Sequence, residues 1–124
     1  MKQLLPLAIV ATLLAAGPAR AAGPTAPAAD DVAAAVLACH AQYAGKYAKS
    51  TQASATEIAE GAFAGCRHEM DAYEAAALER AKTRTAVEVG IAGPEDFQRD
   101  DVDRFRDDVR SYTVDAVLKA RALF

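Results

Sequence analysis

Two cysteines and two histidines carry most of the reactive chemistry open to this chain. Cys39 is followed directly by His40, Cys66 is followed two residues later by His68, and 26 residues separate the cysteines. Such a set supports three chemistries: a structural disulfide, a reversible redox pair, or a site for a soft metal such as zinc or copper(I). Metal binding by Cys39, His40, Cys66 and His68 meets a geometric obstacle if these residues lie on helices. Side chains one apart diverge by about 100° and two apart by about 200°, whereas helical ligand pairs stand three or four apart. A disulfide between Cys39 and Cys66 is therefore the first reading, with His40 and His68 as solvated neighbours of the bridge. Closing that loop is worth about 3.6 kcal/mol in the chain-entropy model. The Cys-x-x-Cys-His string of haem attachment is absent.

The densest charge in the chain is the run Arg99-Asp100-Asp101-Val102-Asp103-Arg104-Phe105-Arg106-Asp107-Asp108. On a helix, Asp100/Arg104, Arg104/Asp108 and Arg99/Asp103 stand four apart and can support one another on a solvated face. The sharper reading makes Asp100, Asp103, Asp107 and Asp108 an acidic docking surface for a basic protein, where complementary charge favours rate and selectivity. No Gly-rich phosphate loop, nucleophile elbow or His-Glu-x-x-His string is present, so neither catalysis nor a cofactor is expected.

The rest of the chain reads as helical. Alanine supplies 32 of 124 residues, with four Tyr, four Phe and no Trp, a mix that favours helix over sheet. A core so rich in Ala buries little area per residue, which makes a covalent staple useful. Met1 to Ala21 reads as a cleaved signal peptide: Lys2, an apolar run from Leu4 to Ala16, then Ala19-Arg20-Ala21 at the cut. The run is too short to span a bilayer, which takes about 20 residues. Residues 22–29 form a Pro-containing leader, and 30–124 a single domain.

Three amphipathic helices are expected, near 30–49, 55–89 and 95–122. The first places Val32, Val36, Cys39, Tyr43 and Tyr47 on one face. The second opens with a Ser54/Glu57 capping box and carries Ala59, Ala62, Cys66, Met70, Tyr73 and Ala77. Gly61 and Gly65, one turn apart beside Cys66, let the first helix approach closely. The third starts at Pro94 and buries Phe97, Val102, Phe105, Val109, Tyr112 and Ala116. Short links predict an all-α, up-down-up three-helix bundle. The second helix is much longer than the first, so either it breaks near Thr83 or the longer helices leave an apolar groove.

Without Lys2 and Arg20 the 14 basic residues fall to 12 against 17 acidic ones, a formal charge of −5. That balance disfavours nucleic acid and anionic membranes as partners. The reading is a periplasmic or secreted, disulfide-stapled helical protein that binds another protein as inhibitor, immunity-type protector or accessory subunit. The alternatives are a metal-handling or redox protein using the Cys/His pairs, and a self-associating structural module.

Overall fold

The computed structural model describes residues 29–87 and 93–123, and every element in them is helical. The expected signal peptide lies outside the described residues. Four helices form where three were expected: α1 (Ala29–Ser50), α2 (Ala55–Gly65), α3 (Arg67–Val87) and α4 (Pro94–Ala122). The expected second helix is interrupted at Cys66, well before Thr83, where φ −109° and ψ 27° turn the chain between α2 and α3. The break follows Gly65 at the disulfide, consistent with the low helix preference of glycine. Hydrogen bonds still run from Cys66 N–H to the Ala62 carbonyl (2.8 Å) and from Met70 N–H to the Cys66 carbonyl (3.1 Å). Cys66 thus closes one helix and opens the next.

The helix starts follow local chemistry. Ser54 Oγ accepts from Glu57 N–H at 3.1 Å while the Glu57 carboxylate accepts from Ser54 N–H at 2.8 Å, a complete capping box. Pro94 takes the first position of α4, and Asp96 accepts from Gly93 N–H at 3.2 Å. At the other end of α1, the Arg121 guanidinium donates to the carbonyls of Ala48, Thr51 and Ala53. A cation there satisfies the Ala48 carbonyl in the last turn of α1 and two carbonyls of the link to α2.

Two apolar clusters lie along the molecule. One joins Val32 and Val36 of α1 to Met70, Tyr73 and Ala77 of α3 and to Val102 and Val109 of α4. The other joins Ala44 and Ala48 to Ile58 and Val117. His40 pairs with Thr113 and Ala48 with Arg121, so α1 and α4 run alongside each other in the same sense. Six of the fifteen buried hydrophobic side chains among the described residues are alanines, so the core holds little apolar volume per helix turn.

The apolar stripe of the second expected helix is buried throughout: Ala59, Ala62, Cys66, Met70, Tyr73 and Ala77. On α1 the expected stripe is displaced. The buried line is Val32, Val36, His40, Ala44 and Ala48, while Cys39, Tyr43 and Tyr47 are half-buried beside it. The reason is that α1 packs against α4 as well as against α2 and α3. On α4 the buried line is Val102, Val109, Thr113 and Val117, and Tyr112 is 42% exposed rather than buried.

Candidate functional site

Cys39 of α1 and Cys66 between α2 and α3 are joined in a disulfide with a Cα–Cα distance of 5.9 Å, and no other cysteine is present. Cys66 is fully buried and Cys39 is half-buried. The bridge is held where α1 and α2 meet by the two glycines. A Cβ on Gly61 would stand 2.6 Å from Tyr43 Oη, and one on Gly65 would stand 2.9 Å from Tyr43 Cε2. The Tyr43 ring fills the space that side chains there would need.

The four residues considered for a metal site are not gathered by the fold. His68 is exposed. His40, expected to be solvated, is completely buried, because its side chain falls on the α4-facing line of α1. Its Nδ1 lies 2.9 Å from Thr113 Oγ1, and its ring meets Phe63 edge-on with centroids 4.7 Å apart. Burial lowers the His40 pKa, and the Glu69 carboxylate opposes that shift in part. The group that does gather is Cys39, Cys66 and Glu69, whose sulfurs and carboxylate oxygen lie within 4.8 Å of one another. Glu69 follows Cys66 by three residues, a spacing that places both on one helix face, and this was readable from the sequence.

On α4 the charged run divides into two sets. One set bonds to neighbouring helices: Arg80 to Asp101 at 2.6 Å, Arg106 to Glu74 at 2.7 Å, and Arg110 to Glu60 at 2.6 Å. The bond to Asp101 raises the Arg80 pKa further, and burial with the Asp101 charge raises that of Tyr73, whose hydroxyl donates to Asp101 at 3.3 Å. Tyr73 also stacks on Phe105 with centroids 3.8 Å apart. The other set points to solvent. Asp100, Asp103, Asp107 and Asp108 are all exposed, within an arc of about 140° at 100° per residue and opposite the buried line of α4.

The expected Asp100/Arg104, Arg104/Asp108 and Arg99/Asp103 pairs do not form. Arg99 pairs instead with Asp96 at 3.4 Å and Arg110 with Asp107 at 2.9 Å, each one turn back along the helix. A groove of about 420 Å³ lies between α3 and α4, with Ala77, Ala81 and Phe97 as apolar wall and Arg80, Asp101 and Arg104 among its charged residues. Charge makes it less apolar than the helix lengths suggested.

These features define a small all-helical protein with one disulfide, two unequal apolar clusters and an acidic outer face on its longest helix. No protein-family model, curated protein or solved structure matches the chain.

Proposed function

We propose that the chain is an exported protein, folded as an up-down-up bundle with a kinked middle rod, that acts by binding a basic protein in the cell envelope or outside it. The observation that carries the reading is the sorting of charge on α4. Arg106 pairs with Glu74 and Arg110 with Glu60 on neighbouring helices, Arg110 also holding Asp107, so the outward arc of Asp100, Asp103, Asp107 and Asp108 keeps its acidic excess and is interrupted by Arg104. A surface of that kind attracts a positively charged partner over about a Debye length, roughly 8–10 Å at ordinary ionic strength. The disulfide supports an oxidising compartment, since such bonds persist there and are rare in reducing ones.

The test is affinity capture from the envelope fraction and culture fluid of the source, with the wild type beside the double variant Asp103→Lys/Asp107→Lys. A basic protein retained by the wild type, released by moderate salt and lost by the variant is the expected result. Equal retention by both, or no protein retained above a bare-resin control, overturns the reading.

A further inference from the structure

We propose that opening the Cys39–Cys66 bridge converts the junction of α1, α2 and α3 into a zinc site, with the two thiolates and the Glu69 carboxylate as ligands. The three donor atoms already lie within 4.8 Å of one another, drawn from α1, from the α2–α3 junction and from the first turn of α3. Two sulfurs at about 2.3 Å from a tetrahedral ion stand about 3.8 Å apart, farther than in a bridge, so both side chains must turn outward from Cα positions 5.9 Å apart once the bond is broken.

One further observation favours a cation here. Glu69 is half-buried, and among the described residues neither a hydrogen bond nor an ion pair engages its carboxylate. A dication would supply the missing counter-charge. The set differs from the Cys/His pairs of the sequence reading: His40 is turned to Thr113, and His68 is exposed. Two thiolates and one carboxylate leave the fourth tetrahedral position to water or to an added ligand.

The chemistry balances with a dithiol as reductant. Its thiolate attacks one bridge sulfur, the S–S bond breaks, and the dithiol ends as a disulfide, having delivered two electrons and two protons to Cys39 and Cys66. Zinc then displaces the two thiol protons to water. The oxidised chain offers no thiolate, so redox state gates metal binding. The acidic face of α4 has no part in this site, so partner binding and Co²⁺ binding are read on different residues.

The experiment uses Co²⁺ as a coloured substitute for zinc. Purified protein is reduced with a phosphine, freed of excess reagent without air, and titrated while absorbance and helix content are followed. The expected result is a sulfur-to-cobalt charge-transfer band saturating at one ion per chain in the reduced protein and absent from the oxidised one. Cys66→Ser should lose the band, and Glu69→Gln should keep it while binding Co²⁺ at least about tenfold more weakly. No band in the reduced protein, unchanged affinity in Glu69→Gln, or a reduced chain that unfolds and is not restored by Co²⁺ overturns the proposal.

Discussion

The imidazole Nδ1 of His40 lies 2.9 Å from the hydroxyl oxygen of Thr113, and both side chains are wholly buried between α1 and α4. The Thr113 hydroxyl donates its proton to the Val109 carbonyl at 2.7 Å, so its oxygen must accept from His40 Nδ1–H. This identifies the neutral tautomer protonated at Nδ1, leaving Nε2 buried and without a partner. Along α1 the pair falls between the two apolar clusters, with Val36 in one and Ala44 in the other. Ala-rich surfaces slide easily past one another, and a single buried polar match is one way to hold α1 and α4 in register.

Acidification should act through this pair. Burial lowers the pKa of His40 in the folded protein, so the unfolded chain binds the proton more readily. The full contribution of neutral His40 is therefore present above the unfolded value of about 6.5 and is lost as pH falls below it toward the lowered folded value. Urea unfolding at pH 7 and pH 5 should show stability declining with a slope from this residue of no more than about 1.4 kcal/mol per pH unit. The variant His40→Leu should remove that part of the slope; an unchanged slope would dissociate acid sensitivity from His40.

Replacing the acceptor tests the hydrogen bond at constant shape. Thr113→Val keeps the volume but leaves His40 Nδ1–H without its partner in the core. A cost of about 1–3 kcal/mol is expected from equilibrium unfolding at pH 7. In a His40→Leu background the same substitution should cost much less, because no buried donor is then stranded.

Much of this fold could be read from residue spacing, and the exceptions share a cause. The bridge between Cys39 and Cys66, the Ser54/Glu57 box and the buried line from Ala59 to Ala77 follow from local pattern, since each depends on residues of one helix or on the scarcity of cysteine. A stripe of Cys39, Tyr43 and Tyr47 serves a single neighbour and leaves His40 to solvent, whereas α1 meets three helices. A histidine among alanines gives no sign of which face a distant helix will cover. The ion pairs of α4 show the same limit: spacing finds partners only within one helix, yet Arg106 reaches Glu74, and Arg110 reaches Glu60 as well as Asp107 of its own helix. The break at Cys66 was hidden because Gly61 and Gly65 read equally well as close-packing residues and as weak points.

The disulfide should carry a large share of stability in so thin a core. Reduction, or Cys39→Ser with Cys66→Ser, is expected to cost about 3.6 kcal/mol through the entropy of the released loop. Urea unfolding of the oxidised and reduced protein measures it directly. A difference under about 1 kcal/mol would mean that the helices hold their arrangement without the staple, contrary to the chain-entropy model.

Arg121 joins the end of α4 to the end of α1 and to the link before α2, through the carbonyls of Ala48, Thr51 and Ala53. Charged hydrogen bonds to otherwise open carbonyls suggest that Arg121→Ala costs about 1–2 kcal/mol. Amide hydrogen exchange should speed up at the end of α1 and in the 51–54 link more than around Val36. Uniform acceleration would show that Arg121 acts on global unfolding instead of on that end of the molecule.

The sharpest packing test lies at Gly61. A Cβ there would meet the Tyr43 hydroxyl at 2.6 Å, but the next nearest ring atoms at 3.4 and 3.5 Å. Tyr43 cannot swing away freely, because its ring packs on Tyr47 with centroids 4.3 Å apart. Gly61→Ala should therefore destabilise the wild type by about 1–3 kcal/mol as overpacking outweighs the gain in helix propensity. Combined with Tyr43→Phe, which deletes the clashing oxygen, the same substitution should become neutral or stabilising by up to about 1 kcal/mol. A double-mutant cycle in urea reads the difference, and a cost for Gly61→Ala that is the same in both backgrounds would show that Tyr43 is not what requires glycine at this position.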